Sequence, residues 1–163
     1  MEITIHNILL ISIIVFTGLS AGLCFTWSNA ITPGIGRLDN IGFLQAFQKM
    51  NRAIINPLFL IVFFGPFLLN LINLYFFKGA TNIMWLLIAA TAVYFFGVVL
   101  ITIFGNVPLN EMLDKTDLGA ASIDELKQLR DKFEDEWNRL HLIRTATSII
   151  SFLLLIITAL IKN

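Results

Sequence analysis

The sequence predicts an all-α protein, a four-helix transmembrane bundle, and two observations carry that prediction. Of 163 residues, 57% are hydrophobic and 13% charged, whereas soluble domains run nearer a quarter charged. The charges are clustered and leave four long uncharged stretches: Ile3 to Gly36, Ala53 to Phe77, Gly79 to Asn110 and Thr145 to Ile161. A bilayer core of about 30 Å needs about 20 apolar residues in a helix, and about 17 at the low end. Each stretch qualifies. Without water in hydrocarbon, each span satisfies its backbone groups internally, which makes it helical.

Eleven basic and eleven acidic residues cancel, so no global charge argues for nucleic acid. Cys24 is the single cysteine, which excludes an intramolecular disulfide and a Cys-rich metal site. The length fits one integral membrane domain, residues 1–163.

The first span is placed near Ile8–Thr26. It has no basic flank before it, which separates it from a secretory signal. Gly18 and Gly22 form a GxxxG pair, suited to close helix contact within the bundle or to a homodimer. Pro33-Gly34 then reads as a turn. Asp39 or Asn40 is placed to cap a short helix from Ile41 into the second span, Ile54–Phe76. On that helix Phe43, Phe47, Met50 and Ile54 form an apolar stripe that contains Asn51, while Gln45, Lys49 and Arg52 fall opposite. Asn51 is expected to point inward, where an amide needs a partner or a ligand. Arg52 is either an interfacial anchor or a binding residue. Pro66 predicts a kink in the second span.

The third span, Met84–Phe104, runs into Gly105-Asn106-Val107-Pro108-Leu109-Asn110. Pro108 disfavours helix at Val107, so irregular backbone is expected there, lining a cavity or closing a helix end capped by its own amides. Ser122 with Glu125 makes a capping box. No proline or glycine follows before Ile161, so an amphipathic extramembrane helix, about 123–144, is expected to continue into a fourth span, Thr145–Ile161. Arg144 sits near the centre of its apolar stripe with Trp137, Ser148 and Ser151. An inward arginine at the start of a span is costly unless paired.

Four spans put both termini on one side. The long loops on the other hold all of the eleven basic residues except Lys78 and Lys162. The positive-inside bias then makes the long loops cytoplasmic.

The segments Thr32-Pro33-Gly34, Met50-Asn51-Arg52-Ala53-Ile54, Gly105-Asn106-Val107-Pro108-Leu109-Asn110 and Trp137-Asn138-Arg139-Leu140-His141-Leu142-Ile143-Arg144-Thr145 together resemble the anthrone-oxygenase-like family. Its members are small four-span membrane proteins, and the resemblance extends over essentially the whole chain. It implies a membrane oxidoreductase acting on an apolar, aromatic small molecule, with molecular oxygen as co-substrate and no other cofactor. The implied location is multi-pass in a bacterial inner membrane, among its lipids. In that setting His141 is the candidate base, because its ordinary pKa lies near neutrality; the other reading is an interfacial histidine next to Glu134 or Asn138. Arg144, Asn51, Arg52, Asn106 and Asn110 are candidates to bind substrate or an oxyanion, and Trp137 to form a stacking wall. No metal is expected, since no HxxxH, HExxH or CxxC spacing occurs. A haem on a single histidine stays open; one iron cannot take both His6 and His141, at opposite faces. The alternative is a non-enzymatic lipid- or partner-binding membrane module, docking through the charged run Glu134-Asp135-Glu136.

Overall fold

The computed structural model describes residues 4–79 and 81–162. Among the described residues all regular structure is helical, and four helices are long and apolar enough to cross a membrane. In chain order they are α1 (Ile5–Ile35), α3 (Pro57–Phe76), α4 (Asn82–Asp114) and α5 (Ile123–Ile161). The short α2 (Asn40–Ile54) precedes the second span. The ends of α1 and α5 meet on one face, where Lys162 Nζ donates to Asn7 Oδ1.

Each helix start follows from a cap. Thr4 accepts from the Asn7 amide, Asp39 from Gly42 and Asn56 from Phe59. At α5 both halves of the capping box are formed, between Ser122 and Glu125. α5 then runs unbroken for 39 residues, about 58 Å at 1.5 Å per residue.

Two expectations are corrected. The Pro33-Gly34 turn is absent: α1 continues to Ile35, and the chain turns only over residues 36–38. The Asn106–Asn110 bend is also helical, and α4 continues to Asp114 instead of ending at Phe104. The physical reason is the same at both sites. A π-helical turn, Trp27–Ile31 or Thr102–Asn106, comes just before the proline. There the amide preceding the proline reaches back five residues, Thr32 to Trp27 and Val107 to Thr102. Each proline then falls in the first turn of the resumed helix, where its missing donor costs little. The polar backbone stays satisfied, and one extra residue is absorbed. α3 likewise continues through Pro66.

Inside the bilayer, packing relies on small residues that let helices approach. A Cβ on Gly97 would stand 2.5 Å from Thr147, and one on Gly105 would stand 2.9 Å from Leu140. At Gly97 α4 therefore lies close against the α5 backbone, and at Gly105 the Leu140 side chain fills the space a side chain on α4 would take. Gly18 packs in the same way against Phe152 of this chain, while Gly22 meets nothing within 4 Å.

Outside the bilayer a second core forms, with Phe43, Leu44 and Phe47 of α2, Leu113 of α4, and Phe133 and Trp137 of α5. Arg130 fastens it from above. Its guanidinium donates to the carbonyls of Gly36 and Leu38, pairs with Glu134, and lies 4.4 Å from the Phe43 ring centroid. The apolar exposed surface gives way to charge between Leu142 and Arg139 on α5, between Val107 and Glu111 on α4, and between Ile55 and Arg52.

Candidate active site

Just inside that boundary the four spanning helices and α2 enclose a chamber of about 120 Å³. Engineered apolar cavities of about 150 Å³ hold one benzene ring. Ser20, Leu23, Cys24 and Trp27 come from α1, and Phe47, Asn51 and Ile54 from α2. α3 supplies Phe59, Val62 and Phe63; α4 supplies Thr102, Val107 and Asn110; α5 supplies Trp137, His141 and Arg144. On α5 the last three recur at i, i+4 and i+7, so all three share the helix face turned inward.

The polar groups are few and specifically placed. Arg144 is 8% exposed and lines the chamber. Among the described residues no carboxylate forms an ion pair with it, and its Nε makes no hydrogen bond. Its ionisable neighbours are the Cys24 thiol, the Tyr94 hydroxyl and His141. A standing positive charge therefore faces an apolar space, which is where an oxygen anion is held most strongly.

His141 is 3% exposed, and its Nε2 lies 3.1 Å from the Cys24 carbonyl. A carbonyl only accepts, so the hydrogen bond assigns the ring proton to Nε2. In the neutral imidazole Nδ1 then carries the lone pair, and it has no hydrogen-bond partner. The Cys24 carbonyl also accepts from Thr145 Oγ1 at 3.3 Å.

Aromatic rings wall the space. Trp137 stacks on His141 at 4.8 Å and 17°, Phe47 meets Trp137 edge-on at 4.7 Å, and Trp27 lies 5.6 Å from both Phe47 and Trp137. Trp137 is pinned at both ends. Its indole N–H donates to Asn110 Oδ1 at 2.8 Å, and its carbonyl accepts from Asn106 Nδ2 at 3.2 Å.

Five of the seven residues proposed from sequence meet here: Asn51, Asn110, Trp137, His141 and Arg144. Asn106 lies behind Trp137, fully buried and off the chamber lining. Arg52 is outside the chamber, exposed and paired with Asp114 at 2.6 Å, because its face of α2 points toward the end of α4. Sequence reasoning missed all of α1's contribution, and also Tyr94. The Tyr94 hydroxyl donates to the Phe63 carbonyl at 2.8 Å and contacts Ser20 Oγ at 2.7 Å, beside the chamber. The signal on α1 is a stripe of small and polar residues, Thr17, Ser20, Ala21 and Cys24 at i, i+3, i+4 and i+7, which all turn inward.

Among the described residues no group of three or more His, Cys, Asp or Glu gathers to hold a metal ion. His6 lies at the far end of the bundle, where its Nε2 meets the Phe76 carbonyl.

The family model described as anthrone oxygenase matches residues 45–154. That stretch contains every proposed site residue and leaves out α1. No curated protein and no solved structure matches the chain.

Proposed function

Because the chain belongs to the anthrone oxygenase family, we propose that it is a membrane oxidoreductase that oxidises an activated methylene of an aromatic small molecule with molecular oxygen. One observation carries this reading: Arg144, with no carboxylate on its guanidinium, and His141, with one ring nitrogen unbonded, line the same apolar chamber. A methylene flanked by aromatic rings and conjugated to a carbonyl is acidic. His141 Nδ1 takes one of its protons, and the electron pair moves onto the carbonyl oxygen. Arg144 and the amide of Asn51 stabilise that oxyanion, and the aromatic walls exclude water that would weaken both effects.

The resulting carbanion passes one electron to oxygen, and the two radicals join to form a carbon–oxygen bond. The imidazolium returns its proton to give a hydroperoxide. Loss of the second methylene proton breaks the O–O bond and leaves a carbonyl group and water. Overall, CH2 and O2 give C=O and H2O, without a further oxidant. Asn106 and Asn110 act in this scheme by holding Trp137 in place.

The test uses the full chain in lipid nanodiscs with anthrone as probe. Oxygen uptake should match anthraquinone formation one to one and should resist chelators. His141→Ala should lower the rate by about 10²–10⁴-fold, the usual worth of a positioned base. Full turnover by that variant would remove His141 from the role. Binding of anthrone without oxygen uptake would leave a binding module instead.

A further inference from the structure

The way into the chamber can be read from which of its lining residues are exposed. On the extramembrane side the chamber is roofed by Trp137 and Phe47, both buried in the aromatic core that Arg130 fastens. Only three lining residues are exposed: Leu23 at 39%, Ile55 at 66% and Val107 at 37%. All three are aliphatic. They come from α1, from the α2–α3 link and from α4, and the link itself is a helix break where Ile55 leaves helical angles and Asn56 caps α3. They also lie on the apolar side of the surface boundary, next to exposed Phe104 and Leu58. The exposed edge of the chamber is aliphatic, while its polar lining residues are buried or half-buried; at that depth the edge faces acyl chains, where a charged solute is excluded.

The size of the chamber adds a second constraint. About 120 Å³ takes roughly one ring, so a larger occupant must extend outward through the same gap. At the inner end waits Arg144, whose guanidinium needs an oxygen partner. We propose that the chamber is filled from the lipid phase, head first, by bilayer-dissolved amphiphiles whose oxygen-bearing aromatic head reaches Arg144 while the apolar remainder trails between Leu23, Ile55 and Val107 into the leaflet. The access route stands on the geometry alone. The aromatic head rests on the oxygenase reading above.

Cys24 lines the chamber and is the chain's single cysteine, so it reports which solutes get in. The full chain in nanodiscs of palmitoyl-oleoyl phosphatidylcholine, open to water on both faces, is treated with three methanethiosulfonates that share one reactive group. One carries a dodecyl chain, one a sulfonatoethyl group and one a trimethylammonioethyl group. The Cys24 sulfur forms a new S–S bond, methanesulfinate leaves with the electron pair of the broken one, and the thiol proton goes to water. Intact mass gives the rates.

The dodecyl reagent should react at least about tenfold faster than either charged reagent, since charge is excluded from hydrocarbon. Ile55→Trp should slow it by about the same factor, and Val107→Trp serves if the first variant does not fold. Equal rates for a charged reagent would show an aqueous mouth and overturn the proposal. So would absence of dodecyl labelling, or labelling that neither tryptophan slows. No turnover is involved, so the two readings fail separately. Dodecyl labelling with no anthrone oxidation leaves the portal and removes the oxygenase; oxidation with a water-open Cys24 does the reverse.

Discussion

A guanidinium held in an apolar chamber without a carboxylate costs the bundle stability, and the same field strengthens any oxygen anion that arrives. Arg144 is in that position, so its contributions to folding and to chemistry should have opposite signs. Arg144→Met should leave the thermal midpoint unchanged or raised, while anthrone turnover falls by about 10²-fold, the scale of one lost oxyanion donor. Arg144→Lys should retain part of the activity, because the charge survives although the planar fork does not. A sharply lowered midpoint for Arg144→Met, measured in nanodiscs, would make the arginine structural instead. At this scale the inward face of α5 was legible, since Trp137, His141 and Arg144 repeat at helical spacing. Arg52 was ambiguous from spacing alone: whether a charge on the outer face of α2 meets ligand, lipid or Asp114 depends on where α4 ends.

Helices here are shaped by what interrupts them. Pro33 and Pro108 are absorbed by π-helical turns, so two signals that normally stop a helix let α1 run on to Ile35 and α4 to Asp114. The close approach of α4 to α5 rests on Gly97. Gly97→Ala would place a methyl 2.5 Å from Thr147, and overpacking of this kind costs about 1–3 kcal/mol. Thr147→Gly should restore most of the lost stability in the double variant, and failure to do so would put the strain elsewhere. The start of α5 carries a pH dependence. The Ser122 backbone N–H and hydroxyl both donate to Glu125 and hold its carboxyl below the ordinary carboxylate range. A depressed carboxylate contributes stability above its unfolded pKa of about 4.3, and that contribution is lost as pH falls through the folded value. Amide exchange across residues 123–126, corrected for intrinsic rates, should therefore accelerate between about pH 6 and pH 3, with the amides of the Phe133 turn unaffected. The capping box was visible in the sequence because its two partners are three residues apart. The π-helical turns were not, because they depend on packing that a local reading does not contain.

The whole molecule is a polar-capped bundle whose two faces differ. One carries the joined ends of α1 and α5, with Lys162 on Asn7; the other carries the aromatic extramembrane core and most of the basic residues. On the positive-inside bias, the face with the long loops is proposed to be cytoplasmic. A reporter fused after Asn163 should then read outside the cytoplasm, and a cytoplasmic signal would reverse the orientation. Either way the chamber opens toward the core-bearing leaflet, because Asn51, Asn110, His141 and Arg144 lie near that surface, while Ser20 reaches deeper, level with Tyr94.

Composition and charge spacing were enough to determine four spanning helices and their order, and helical periodicity the inward placement of Asn51, Trp137 and Arg144. Those properties follow from periodicity within a single helix. Tertiary structure decided that α1 and α4 run past their prolines, that Ser20, Cys24 and Trp27 close the chamber, that Asn106 supports Trp137 from behind, and that Arg52 stays outside. Each of these depends on the depth and rotation of one helix against another. Contacts between residues far apart in the chain, such as Gly97 on Thr147 and Cys24 on His141, set that depth and rotation.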